Sequence, residues 1–286
     1  MPSKPQFAFI GGGIMAEALI KGLLNKGLFE PSALLVSDPL KARLSTLRDS
    51  YGIQTTSDNL QALEADTVVF AVKPAQLPDV LREVGPHWRP TCLGLSIIAG
   101  YRLDHLASFF PLGAPPLIRA MPNTPCVIGE GITAIVPNAH VTPAQLDLAR
   151  NLFQAVGQVL ELSENYFDAV TGLSGSGPAY VTLIIEALIE AGVQQGLPRR
   201  ISRDLVCQTV KGASMLVQQS GKHPAELKDQ VTTPAGTTAA GLLVLEQAAI
   251  RATMSLAVTA ATERSKALAP TVAPAVAPSA GRSPRR

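Results

Sequence analysis

The chain has 286 residues, with 24 Lys and Arg against 22 Asp and Glu and a formal charge of +2. An apolar fraction of 47% beside 16% charged residues excludes an intrinsically disordered chain, and the length allows one large domain or two ordinary ones. Arg282, Arg285 and Arg286 fall after Leu268 with no acid among them, so the rest of the chain holds 21 basic against 22 acidic residues and offers no basic footprint for nucleic acid.

Cys92, Cys126 and Cys207 are odd in number and far apart, against a disulfide framework or a structural zinc site. The N-terminal run MPSKPQFAFIGGG lacks the apolar stretch and cleavage site of a secretory signal. The longest uncharged apolar candidate for a membrane span, 177–185, is too short. The expectation is a cytoplasmic protein without a membrane partner.

In chain order, residues 7–10, 34–36, 67–72, 93–98 and 117–118 are continuous apolar runs. Such runs suit strands buried on both faces, as in a parallel sheet. Between them 15–25, 41–50 and 77–84 read as helices, an alternation that predicts an open, doubly wound α/β sheet. Residues 132–136 and 158–162 flank a helix opening at Thr142-Pro143, with Thr142 as N-cap, and are expected to extend the sheet. The resulting Rossmann-type dinucleotide-binding domain is placed at 1–163.

From Glu164 the strand pattern stops, and an all-α domain is expected over 164–268. Helices are read over 165–195 (interrupted by a Gly/Ser-rich stretch), 202–219 and 237–266. They lack polar faces, and roughly 100 residues cannot cover them all, which predicts homo-oligomerisation through this region. Packing onto the first domain alone is the other possibility. The Pro/Ala-rich tail, 269–286, is expected to be disordered.

Phe7-Ala8-Phe9-Ile10-Gly11-Gly12-Gly13-Ile14-Met15-Ala16 places G-x-G-x-x-A between strand and helix. Gly11 permits the tight turn, Gly13 lets backbone approach a pyrophosphate, and Ala16 lets helix and strand pack closely. A Gly-rich connection that binds nothing is the plain alternative. Asp38, ending the second strand, is placed to accept from a ribose 2′-OH, which favours NAD; Lys41 and Arg43 just beyond could instead hold the 2′-phosphate of NADP. Asp38 could also simply cap the helix after Pro39. The loops Ala71-Val72-Lys73-Pro74 and Ile97-Ile98-Ala99 close two further strands, where ligands of open α/β sheets bind. Lys73 is equally readable as a solvated turn lysine.

Three further motifs are specific. Ala120-Met121-Pro122-Asn123-Thr124-Pro125, the run DAVTGLSGSGPAY at 168–180 and LKDQVTTPAGTT at 227–238 resemble pyrroline-5-carboxylate reductases. The resemblance covers 7–266, and 224–246 is its most discriminating part. It implies the last step of proline synthesis, in which NADPH or NADH reduces 1-pyrroline-5-carboxylate to L-proline. It also implies a helical domain interlocking two subunits as a homodimer, often within a decamer, with an active site between the cofactor domain and the dimer helices.

By that resemblance Ile10, Gly11, Gly12, Gly13, Ile14, Met15, Asp38, Asn59, Ala71, Val72, Lys73, Pro74, Ile97, Ile98 and Ala99 line the cofactor site, with Glu164 and Gln230 near it. The segment before Asp66 is one residue short of the family pattern, so Asp58 competes with Asn59. The substrate would meet Ser176, Val231, Gly236, Thr237 and Thr238, the Thr238 hydroxyl bonding the ring nitrogen as proton donor or relay unless solvent supplies the proton. Capping the helix is the alternative for Thr238. Asn123 either orients a ligand or holds its own loop. Gly221 stands where some relatives carry an acid near the substrate.

A cyclic imine is already electrophilic at its C=N carbon, so the chemistry requires neither metal nor covalent nucleophile; His87, His105, His140 and His223 show no ligand spacing. Two other readings stay open: a β-hydroxyacid-type dehydrogenase, which would need a helix lysine such as Lys211, and a cofactor-binding regulatory protein without turnover.

Overall fold

The computed structural model describes residues 4–268; the expected disorder of 269–286 lies outside them. Among the described residues one eight-stranded sheet runs in the order β3-β2-β1-β4-β5-β6-β7-β8. Its strands are β1 (Phe7–Ile10), β2 (Leu34–Ser37), β3 (Gln54–Thr56), β4 (Thr67–Phe70), β5 (Leu93–Ser96), β6 (Leu117–Met121), β7 (Gly131–Pro137) and β8 (Gly157–Glu161). All neighbours pair in parallel except β6 and β7, so β7 and β8 run opposite to the other six. Chain direction across the sheet reverses between β1 and β4, which opens a crevice at their carboxyl ends.

The central strands are buried on both faces. Phe7 and Phe9 of β1 face one core with Leu19, Leu23 and Phe153, whereas Ala8 and Ile10 face the other with Leu77, Leu81 and Trp88. Two apolar layers therefore clamp the sheet, and the helices supplying them are α1 (Ile14–Asn25), α2 (Lys41–Tyr51), α3 (Leu77–Val84), α4 (Leu103–Ala107) and α5 (Pro143–Gln154). Thr142 caps α5 as expected, in a reciprocal box: Gln145 N–H donates to Thr142 Oγ1 and Thr142 N–H donates to Gln145 Oε1.

The second half is helical: α6 (Phe167–Val170), α7 (Gly177–Gln194), α8 (Arg199–Ser220), α9 (Pro224–Gln230), α10 (Thr237–Gln247) and α11 (Ile250–Leu268). The Gly/Ser stretch does not interrupt the first helix but widens it. Residues Thr171–Gly175 form a π turn in which Ser176 N–H donates to Thr171 O at 2.9 Å, and the Tyr180 hydroxyl takes the Gly172 carbonyl. Gly172 lies against α11, where a β-carbon would come within 2.4 Å of Thr262 Oγ1.

Two expectations are corrected. The helix read over 237–266 is two helices bent by 49°, because Ala249 adopts φ 54°. A left-handed alanine costs about 1–2 kcal/mol, and the corner is held by Ala248 and Ala249 N–H closing α10 and by Arg251 gripping Glu246 across it. No glycine or proline marks the break. The apolar stretch is also longer than 177–185: the continuous helix Glu164–Gln194 has 31 residues and a mean hydropathy of 1.3 over its most apolar window, enough by length and composition to cross a membrane. Only 6% of that window is buried within the chain, and Leu183, Leu188, Leu205, Leu216, Leu243 and Val244 are all exposed. A stripe of that size in one protomer calls for a covering surface.

Candidate active site

β1 leads into a turn that only glycine can make at its first position. Gly11 has φ 101°, and a β-carbon there would lie 2.7 Å from the carbonyl of Ala71 and 2.9 Å from Val72 N. Gly12 is enclosed by Leu47 and Val36, whereas Gly13, the N-cap of α1, faces open space. Free N–H groups and the positive end of α1 thus meet a cavity that an anion can enter.

That cavity is a crevice of about 540 Å³. Of the sequence-predicted cofactor residues, Ile10, Gly11, Gly12, Gly13, Asp38, Asn59, Ala71, Val72 and Lys73 form its walls. The strand register brings them together: Gly11 N–H donates to Ser37 O, Ala71 N–H to Ile10 O and Asp38 N–H to Thr56 O. Asp38 does not cap α2, whose N-cap is Leu40; it turns back toward the glycine cradle, its Oδ2 accepting the Gly12 N–H at 2.8 Å and its Oδ1 the Leu40 N–H at 2.9 Å. Between Asp58 and Asn59 the structure separates two jobs. Asp58 caps the short helix Asn59–Glu64 by accepting from Leu60 N–H, whereas Asn59 reaches the crevice, accepting from Ser37 Oγ at 2.7 Å and donating to Glu83.

Arg43 also lines the crevice, but its guanidinium is turned inward. It donates to the carbonyls of Gly12 and Gly13 and pairs with Glu17 at 2.5 Å, while the Tyr51 hydroxyl donates to the other Glu17 oxygen at 2.8 Å. The Arg43 hydrogen bond holds the Glu17 carboxyl below the ordinary carboxylate range, and burial pushes the Tyr51 hydroxyl up.

Ile14, Met15, Pro74, Ile97, Ile98 and Ala99 lie outside these walls. Ile14 is 73% exposed at the start of α1, Met15 packs into the core, and Pro74 O accepts from the Tyr101 hydroxyl. Ile97, Ile98 and Ala99 follow β5, Ile98 being buried. Residues that sequence reasoning missed include Ser37, Leu40, Ser57 and Gln76. The signal that could have found Leu40 is its position, two residues past the strand-ending Asp38 and directly before α2, where it is 66% exposed.

Glu164 sits elsewhere. It accepts from Leu103 N–H at 2.8 Å and from Arg119 Nη1 at 3.1 Å, with Arg102 at 3.5 Å. Arg119 is 3% exposed and its guanidinium stands 4.7 Å over the Phe167 ring. Burial lowers its pKa, and the bond to Glu164 opposes that shift. The pair ties β6 to the root of the helical half.

Near that root the MPNTP and LSGSG motifs meet. Asn123 holds its own loop, accepting from Ile132 N–H at 3.0 Å and donating to Ser174. A β-carbon on Gly175 would lie 2.6 Å from Met121 Cε, so Ser176 at the head of α7 stands beside the carboxyl end of β6.

The other predicted substrate residues form a separate turn. Gly236 is the N-cap of α10 and no side chain caps that helix, so Thr238 is not a capping residue. The first bond inside α10 runs from Ala240 N–H to Gly236 O, leaving the N–H groups of Thr237, Thr238 and Ala239 directed out of its start. The remaining bonds of the turn are local: Thr232 Oγ1 donates to Lys228 O and Gly236 N–H to Thr233 O. Gln230, Val231 and Thr237 are exposed. No residue of this turn belongs to the crevice walls of the same chain. Lys211, exposed on α8, faces a different hollow with Lys26, Ile128 and Gln158. Among the described residues no group of three or more His, Cys, Asp or Glu could hold a metal.

Comparison with known proteins joins the two halves. A family model described as pyrroline-5-carboxylate reductase dimerisation matches residues 164–268, and one described as NADP oxidoreductase, coenzyme F420-dependent, matches 6–100. The chain is 46% identical over 265 residues to a pyrroline-5-carboxylate reductase of Synechocystis sp., covering 92% of this chain and 98% of that protein. It is 40% identical over 261 residues to the one of Glycine max, covering 91% and 94%. Among solved structures, the reductase of Coxiella burnetii superposes with a TM-score of 0.85 at 36% identity, covering 94% of this chain and all of that one. The Plasmodium falciparum enzyme, solved with NADP bound, gives 0.85 at 34% identity, covering 94% and 99%. With a dinucleotide-type crevice, a dimerisation domain and this identity along nearly its whole length, the chain belongs to the pyrroline-5-carboxylate reductase family.

Proposed function

We propose that this protein reduces 1-pyrroline-5-carboxylate to L-proline with NADPH or NADH, as the final step of proline biosynthesis in the cytoplasm. The observation that carries it is the 46% identity over 92% of the chain, together with a glycine cradle opening onto a crevice at the sheet's reversal point. The division into a cofactor domain, 1–163, and a helical domain, 164–268, is part of the same reading. The protein acts as a homodimer, the unit from which a decamer can be built, and needs neither nucleic acid nor membrane.

When bound, the reduced nicotinamide supplies a hydride from C4 to the imine carbon. The residues of the chain position and protonate. The Gly11 to Gly13 turn and the start of α1 receive the pyrophosphate. Pro74 and the loop Ile97 to Ala99 guide the nicotinamide toward the Met121 and Ser176 end of the sheet, with Ile14 and Met15 at the turn's exit. Glu164 braces that loop through Leu103, and Gln230 approaches from the helical side. The uncapped N–H groups of Thr237, Thr238 and Ala239, set out by the Gly236 turn, hold the substrate carboxylate without an arginine, and Val231 flanks the ring. The Thr238 hydroxyl donates to the ring nitrogen, and water restores its proton. Because the turn does not reach the crevice of its own chain, the partner protomer delivers it. A purified sample given NADPH or NADH with 1-pyrroline-5-carboxylate should lose nicotinamide absorbance and form stoichiometric proline; turnover only with 3-hydroxy acids, or cofactor binding without turnover, would overturn the reading.

A further inference from the structure

We propose that Tyr101 is a positioning residue for hydride transfer: its hydroxyl ties the loop after β5 to the loop after β4 and so fixes the gap in which the nicotinamide lies. The inference rests on the functional reading above and deepens it. The two strands are neighbours, and the last backbone bond between them runs from Ile97 N–H to Phe70 O at 3.3 Å. Past that point the Tyr101 hydroxyl takes over, donating to Pro74 O at 2.9 Å. Pro74 directly follows Val72 and Lys73, which line the crevice, and Tyr101 stands two residues beyond the Ile97 to Ala99 stretch. One bond thus joins both loops at their roots.

Both ends of this tie are stiff. The Tyr101 ring is buried in one core with Leu77, Ile98 and Leu106, and its centroid lies 5.5 Å from that of His105, which meets Phe109 edge-on. Burial pushes the hydroxyl up from its ordinary value, so it stays a protonated donor through the neutral range. The helical half seats the same loop on either side of Tyr101. Gly100, at φ 86°, lies against Leu268 at the end of α11, where a β-carbon would come within 3.4 Å, and the Leu103 N–H donates to Glu164. At the other end the proline ring fixes Pro74 and keeps Lys73 extended, at φ −66° and ψ 147°, so a shift of Pro74 carries Lys73 with it. The Pro74 carbonyl also accepts the Leu77 N–H. Removing the phenol hydroxyl therefore orphans no buried group, and the loss falls on the alignment of the loops instead of on the fold.

Tyr101→Phe in the full-length protein removes the tie and keeps the ring. Its kcat for the imine should fall about tenfold, well within what a shift of about 1 Å can cost, while the KM values and the calorimetric affinities for NADPH and NADH stay within about twofold of wild type. Amide exchange over 71–77 in the cofactor-free protein should quicken at least about fivefold. His105→Phe keeps the hydroxyl and replaces a ring whose buried Nδ1 has no hydrogen-bond partner; it should match wild type in every readout. Unchanged kcat or unchanged exchange in Tyr101→Phe, an equal fall of kcat in His105→Phe, or a Tyr101→Phe protein that does not fold would overturn the proposal. A wild type that binds nicotinamide and leaves the imine unreduced would instead overturn the functional reading, and this proposal with it.

Discussion

Replacing Arg119 with Met isolates the energy of the brace between β6 and the helical half. The guanidinium is 3% exposed, bonds Glu164 at 3.1 Å and lies 4.7 Å over Phe167. Removing one partner of a buried ion pair costs about 3–5 kcal/mol, because the other charge stays behind unpaired. Here Glu164 keeps the Leu103 N–H and the half-exposed Arg102, and methionine fills much of the volume, so the lower end, about 3 kcal/mol, is expected. At about 2–4 °C per kcal/mol for a chain of this size, the melting temperature should fall by about 6–12 °C. The assay is thermal and denaturant unfolding at one fixed protein concentration, for Arg119→Met, Glu164→Gln and the double variant. The double variant should recover at least about 1 kcal/mol relative to the sum of the single losses, since no orphaned charge remains. A loss under about 1 kcal/mol in Arg119→Met, or strict additivity in the double variant, would refute the reasoning.

Thr238→Ala should lower kcat/KM for the imine by about tenfold or more while cofactor affinity stays unchanged; wild-type kinetics would remove the proton-handling assignment. Gly11→Ala forces a β-carbon to within 2.7 Å of the Ala71 backbone at a positive φ, so nicotinamide binding measured by calorimetry should drop below detection even where the protein still folds. Leu183→Glu places a charge on the 64%-exposed leucine of α7, and light scattering should then report monomer or aggregate instead of dimer; an intact dimer would mean that α7 is covered by something other than a partner. Burial pushes the Cys92 thiol up to about 12, from an ordinary value of 9.0. The unfolded chain therefore gives up this proton first: the stabilisation is complete below about pH 9 and declines toward pH 12, by at most about 1.4 kcal/mol per pH unit. Unfolding curves from pH 8 to 10.5 should fall more steeply for wild type than for Cys92→Ala, and parallel curves would count against it.

The cofactor half was readable wherever function and periodicity coincided. Short apolar runs rich in β-branched residues and alternating with amphipathic stretches suit strands sandwiched between layers, and the three glycines between Ile10 and Ile14 suit a tight turn. The Thr142 cap was visible because Pro143 follows it at the first helical position, whereas its partner Gln145 came only with the structure. What escaped depended on neighbours distant in sequence. The apolar pattern of β7 is the same whether it runs parallel or antiparallel to β6, so its reversal left no trace. Glu164 reads as a lone acid until Arg119, 45 positions earlier, is seen beneath it. Lys41 and Arg43 seemed equivalent cations beside Asp38; only the inward pairing of Arg43 with Glu17 separates them. The break at Ala249 is silent because alanine ordinarily favours a helix. Of the candidate site, the glycine cradle could be derived from the residues, whereas the Gly236 to Thr238 turn was found by family likeness, since nothing local says which surface a helix start will face.

The π turn at Thr171–Gly175 carries one residue more than a regular helix would need. Relative to the same residues wound as a regular helix, the wide turn holds everything downstream back by about one residue, about 100° and about 1.5 Å. Deleting one residue of the stretch would close it to a regular helix and leave the exposed leucines of α7 in their present orientation, whereas straightening the turn with every residue kept would swing them by about 100°. Phase here is held by the bulge itself: losing it together with one residue keeps the apolar face of α7 aligned, and losing it alone does not.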